Sequence, residues 1–111
     1  MESMRVRYKF WLEDGEHIFG EGLFELLQEI DRRGSINQAA RSLNMSYRQA
    51  WGQVKKAEGR LGERLLSTRV GGETGGGAEL TPAGRWFLQR YKQFRRDAGE
   101  AIEAAFQRHF G

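Results

Sequence analysis

The 111 residues predict a mainly α protein with small β elements, an α+β fold, on three observations. Between Gly34 and Leu61 two short amphipathic helices are joined by a tight polar turn. Between Leu65 and Leu80 two extended runs flank the glycine-rich stretch Gly71 to Gly77. After Thr81-Pro82 an apolar pattern stepping by four and three runs to about His109. The first observation has the spacing of a helix-turn-helix, whose second helix is shaped to enter the DNA major groove. A basic strand, a loop and a return strand behind that helix make a wing. The expected architecture is therefore a winged helix-turn-helix with an N-terminal β-hairpin, a glycine-rich wing and a long C-terminal helix.

Each element has its own local justification. Residues 5–12 alternate, with Val6, Tyr8, Phe10 and Leu12 on one face, which predicts a half-buried strand. Asp14-Gly15 is a hairpin turn signal, and His17-Ile18-Phe19 can return as a second strand. A helix follows in which Leu23, Leu26, Leu27 and Ile30 form one stripe, and Gly34 ends it as a left-handed cap. Ser35 and Gln38 then form a capping box, with Ile36, Ala39, Ala40 and Leu43 facing inward. Asn44 suits the left-handed turn position, and Ser46 with Gln49 caps the next helix. Thr81-Pro82 is an N-cap followed by proline at the first helical position. The chain is expected to be one domain: hairpin 1–20, helices 21–64, wing 65–81 and terminal helix 82–110.

Composition narrows the chemistry. No cysteine is present, which excludes disulfides, thiolate catalysis and zinc-finger sites together. There is no apolar run near the length of a membrane span and no secretory h-region, so a cytoplasmic protein away from membranes is expected. The formal net charge is +3, but its distribution is uneven. Residues 1–34 carry five Lys/Arg against eight Asp/Glu, while residues 35–70 carry seven against two. The positive excess coincides with the helix-turn-helix, as a phosphate-facing surface requires.

Within the second helix, Tyr47, Ala50, Val54, Ala57 and Leu61 share one arc and predict the buried face. Arg48, Gln49, Gly52, Lys55, Lys56 and Gly59 lie opposite. Arg48 can be bidentate to guanine, and Gln49 or Gln53 to adenine, while Lys55 and Lys56 suit phosphate. Gly52 has no helical merit, and its expected use is close backbone approach to the groove. Ser35, Ser46 and the Tyr47 hydroxyl complete the helix-turn-helix contacts, and Arg69 and Thr74 are the wing contacts to phosphate. The lysines also read as an ordinary solvated face, and Trp51 as wedge packing.

Other sites are poorly supported. A P-loop needs lysine and Ser/Thr after its last glycine, and Ala78 and Glu79 stand there. His17 and His109 lie far apart with no ligand or carboxylate spacing beside them, so no catalytic residue, metal or cofactor is expected. The terminal helix presents Phe87, Tyr91, Phe94, Ala98, Ala101 and Ala105 as a stripe for a partner helix, which predicts a homodimer. Trp86, Phe87 and Leu88 are expected to cap the chain's own core.

The segments GSINQAA, SYRQAW and GGETGGGAELTPAG, in that order over about residues 20–95, resemble the N-terminal DNA-binding domain of the ModE family of molybdate-responsive regulators. A-A-R-S-L-N-M-S and L-T-P-A-G give a weaker likeness to LysR-type regulators. The resemblance implies a dimeric winged helix that binds a palindromic operator in double-stranded DNA. Members with a sensor carry a C-terminal molbindin region, and this sequence stops at Gly111, so molybdate or tungstate binding does not carry over. The expected form is a stand-alone member, its signal arriving from a separate sensor protein or being its own abundance. Two other readings stay open: an architectural protein that coats DNA without sequence preference, and an interaction module whose long helix docks a sensor.

Overall fold

The computed structural model describes residues 3–15, 17–69 and 77–111. In chain order the elements are β1 (Trp11–Glu13), β2 (His17–Gly20), α1 (Glu21–Arg33), α2 (Ile36–Ser42), α3 (Tyr47–Leu61), β3 (Leu66–Arg69), β4 (Gly77–Leu80) and α4 (Pro82–Phe110). The strands form two separate antiparallel pairs, β1 with β2 and β3 with β4. The fold is the mainly α winged helix-turn-helix that the sequence predicts.

Most local signals act as expected, although of the capping box predicted at Ser35 and Gln38 only the half in which Ser35 Oγ accepts from Gln38 N–H, at 3.2 Å, is formed. Gly34 adopts φ +71°, a conformation that only glycine reaches without penalty, and its N–H donates to Ile30 O at 2.8 Å. Asn44 takes φ +56° in the turn between α2 and α3. The core gathers around α1: Leu23, Phe24, Leu26, Leu27 and Ile30 pack against Ile36, Ala39, Ala40, Ala50, Val54 and Ala57. Ala39 and Ala40 have side chains of one carbon, so α2 can lie close against its neighbours. Glu29 of α1 accepts from Ser42 Oγ at 2.9 Å, and also pairs with Arg32 and Arg33. The Ser42 hydrogen bond, with the two guanidiniums, holds the Glu29 carboxyl below the usual carboxylate range.

The wing base is fastened to the helices at both ends. Ala78 N–H donates to Gly34 O at 2.9 Å, docking β4 on the end of α1. At the other end Thr81 N–H donates to Leu65 O at 3.0 Å, and Thr81 Oγ1 donates to Arg64 O. That oxygen also accepts from Gly84 N–H at 3.0 Å, which makes it the N-cap of α4. Gly84 itself lies so close to the chain that a Cβ would meet Leu65 O at 2.3 Å. The start of α4 and the start of β3 are thus packed backbone to backbone.

The N-terminal segment departs from its expected form. The hairpin exists, but β1 is three residues long and residues 5–10 are not a strand. They run along α4 instead, where Phe10 meets Phe94 with ring centroids 5.5 Å apart. Tyr8 Oη occupies the place where a Cβ on Gly99 would sit, at 2.7 Å. Of the predicted inward face, Val6 and Phe10 are half-buried, Phe10 against a helix rather than a partner strand, whereas Tyr8 and Leu12 are exposed.

Candidate DNA interface

Helix α3 begins with a full reciprocal cap. Ser46 Oγ accepts from Gln49 N–H at 3.0 Å, and Gln49 Oε1 accepts from Ser46 N–H at 2.9 Å. The capping box therefore occupies the carboxamide oxygen of Gln49, which bidentate contact with adenine would need. Gln49 holds the helix start, while Gln53 is exposed, with its Oε1 beside Gly22 at the start of α1. Ser35 and Ser46 both accept in caps, and each hydroxyl keeps its own hydrogen to donate to a phosphate.

The buried arc of α3 is Ala50, Val54 and Ala57, with Leu61 partly covered. Tyr47, expected on that arc, is 50% exposed. It is the first helical residue, and Leu43 and Met45 of the preceding turn close the core there instead. Trp51 packs partly against the core, as wedge packing predicted, and Lys55 Nζ lies 4.7 Å above its ring.

The outward face is exposed and basic. Arg48, Gly52, Gln53, Lys55 and Lys56 are all exposed. Among the described residues neither Arg48 nor Lys56 has an ion-pair partner, so both cations are available to an external anion. A Cβ at Gly52 or Gly59 would meet nothing within 4 Å, so neither glycine is required by packing inside the chain. Arg69 is exposed on β3, with its guanidinium lying across Gly77 of β4. Thr74 lies outside the described residues.

Glu58 was not foreseen. It sits in the last turn of α3 and is 9% exposed. Its Oε2 accepts from Leu65 N–H at 2.8 Å and from Leu66 N–H at 3.3 Å, while Oε1 lies 3.5 Å from Lys55 Nζ. In the sequence it resembles any solvated acid on an amphipathic helix, because its partners lie in the following strand.

Helix α4 divides into a packed beginning and a projecting end. At 29 residues it spans about 43 Å, and the molecule measures 56 × 28 × 21 Å. Tyr91, expected in the partner stripe, belongs to the chain's own core at 2% exposure. The rings of Phe19 and Phe24 lie 4.9 and 5.3 Å from its own. Its hydroxyl lies 3.0 Å from Phe10 O and 3.3 Å from Glu21 Oε1. Burial, with the Glu21 charge beside it, pushes the phenol up to about 12. Spacing by four and three cannot distinguish a partner helix from the chain's own N-terminal segment, and here that segment occupies the position. Phe87 also leans on the core, whereas Trp86 is 53% exposed, edge-on to Phe87 and beneath Arg90. The buried line of α4 runs through Gly84, Leu88 and Tyr91, and Trp86 points away from it. Beyond it Phe94, Ala101 and Phe110 are exposed and Ala98 and Ala105 are half-buried.

Among the described residues no cluster of three His, Cys, Asp or Glu could hold a metal ion. No helix there is long and apolar enough to cross a membrane.

Comparison with known proteins agrees with this geometry. Residues 22–85 match the family described as bacterial regulatory helix-turn-helix proteins of the lysR family. The molybdenum-pterin-binding protein MopB of Rhodobacter capsulatus is 42% identical over 66 residues, covering 60% of this chain and 24% of that protein. The molybdenum transport protein ModE of Azotobacter vinelandii is 34% identical over 83 residues, covering 75% of this chain and 31% of that protein. The chain thus spans about a quarter to a third of the length of these relatives. Among solved structures, the CbnR_DBD-DNA complex superposes with a TM-score of 0.59 at 25% identity, over 76% of this chain and 91% of that one. The ModE-like likeness of the motifs and the winged fold converge on regulators rather than enzymes. The match covers the helix-turn-helix, the wing base and the start of α4, and the chain belongs to the bacterial regulatory helix-turn-helix proteins of the lysR family.

Proposed function

We propose that the chain is a sequence-specific transcriptional regulator that binds double-stranded DNA through α3, as a homodimer, on a palindromic operator. The observation that carries this reading is the outward face of α3: Arg48, Gln53 and Lys56 exposed on a helix firmly capped at Ser46. Arg48, in the first turn, takes a base edge. Lys55, Lys56 and the hydroxyls of Ser35, Ser46 and Tyr47 take phosphates on either side. Arg69, at the base of the wing, reaches the flanking backbone together with Thr74. The two copies pair through the projecting part of α4, with Phe94, Ala98, Ala101 and Ala105 on the facing stripe. Two recognition helices then enter successive major grooves about 34 Å apart. Occupancy of the operator blocks or recruits polymerase in the cytoplasm. The names of the relatives point to genes of molybdenum handling as the place to look for that operator.

The test is selection of bound sites from a random duplex pool, followed by competition. The expected result is a two-fold symmetric site preferred over random duplex by at least about 1000-fold. Equal binding to both duplexes makes the protein an architectural binder instead.

A further inference from the structure

The segment Arg64–Leu66 is where three parts of the molecule meet. Leu65 and Leu66 offer their N–H groups to Glu58 of α3, while Arg64 and Leu65 offer their carbonyls to Thr81 at the start of α4. Leu66 then opens β3, paired with Leu80 of β4. Leu65 and Leu66 have no exposed surface, so water cannot replace Glu58 as acceptor for their N–H groups. On the other oxygen of Glu58, Lys55 supplies the compensating charge.

We infer that Glu58 is a positioning residue that fixes the wing to the recognition helix, so that groove insertion and flanking-backbone contact occur as one rigid act. The carboxylate ties the backbone at the start of β3 to α3, and it sits about one helical turn beyond the residues proposed to read DNA. Its second oxygen draws Lys55 back over Trp51, so Lys55 is shared between protein and phosphate whereas Lys56 is not. The inference rests on the proposed DNA contact of the wing.

Two variants separate the two jobs of the carboxylate. Glu58→Gln keeps one oxygen to accept from Leu65 and Leu66, but turns an amide toward Lys55 and releases it. Glu58→Ala removes both. Each is measured on two duplexes carrying the best selected site, one trimmed to the major-groove contacts and one with the flanks. For the wild type the flanks are expected to raise affinity about tenfold, the worth of one charge-assisted contact. Glu58→Gln should keep that ratio within about twofold, whereas Glu58→Ala should bring it close to one while binding the trimmed duplex nearly as well as wild type. If circular dichroism shows that Glu58→Ala has lost helix, Glu58→Asp replaces it: it keeps the charge but is one methylene too short to reach both N–H groups. Amide exchange read without DNA should show Leu65 and Leu66 losing protection in the alanine or aspartate variant and not in the glutamine variant. A wild-type flank ratio retained in the variants that cannot hold the N–H groups, or lost equally in Glu58→Gln, overturns the inference. A wild type with no preferred site overturns the proposed function instead.

Discussion

Helices α3 and α4 each carry a face that the chain leaves uncovered, and the two faces differ in kind. That of α3 is cationic, with Arg48 and Lys56 having no ion-pair partner among the described residues. That of α4 is apolar, with Phe94 exposed by about half and Ala98, Ala101 and Ala105 continuing its stripe. A cationic face is stable in water and needs no partner to exist; it gains when it exchanges counterions for phosphate. An exposed apolar stripe loses by facing water, and gains when another apolar surface covers it. On the proposed function, the first face is the one for a polyanion and the second the one for a second copy of the chain.

The comparison breaks most visibly at Ala101. Its side chain is exposed, so Ala101→Asp should leave the monomer folded while placing a charge in each half of the paired interface. An uncompensated buried charge costs about 3–5 kcal/mol, so light scattering should show monomer, and operator affinity should collapse. Persistence of the dimer would move the interface elsewhere. On α3 the largest effect belongs to Arg48→Ala, expected to remove about 1–3 kcal/mol from operator binding and far less from random duplex. Equal losses on both would make Arg48 a phosphate anchor. Lys56→Ala should weaken all sequences alike and flatten the salt dependence by about one unit, read from affinity against salt concentration. Lys55→Ala, its cation already shared with Glu58, should flatten it less. The smallest effect is the sharpest comparison within one helix. Gly52→Ala and Gly59→Ala should each raise thermal stability by about 0.5–1 kcal/mol, since neither Cβ meets a neighbour. Gly52→Ala should weaken operator binding as well, and Gly59→Ala should not.

Much of this was legible because it is local. The cap at Ser46, the left-handed turns at Gly34 and Asn44 and the proline start of α4 each depend on a few neighbouring residues. The arc Ala50–Val54–Ala57 follows from helical period alone. What the reading missed depends on distant partners. Tyr91 sits in a stripe that spacing cannot assign to the chain or to a partner, and its seat is made by Phe10, Phe19 and Phe24. Glu58 needs the backbone of β3 to become more than a surface acid. Gln49 shows the converse: the sequence offers it both a capping box and an adenine contact, and the geometry shows its carboxamide oxygen engaged in the cap.

The contact of Tyr91 with Phe10 joins residues 81 positions apart, and Tyr8 reaches farther still, to Gly99. During synthesis Phe10 and Tyr8 can therefore find their seat only once Tyr91 and Gly99 have been made. The core of α1, α2 and α3 draws on residues 23–57 and can assemble long before. The half that contains α3 would thus be formed while residues 5–10 still wait for α4, so seating that segment comes late in the folding of this domain.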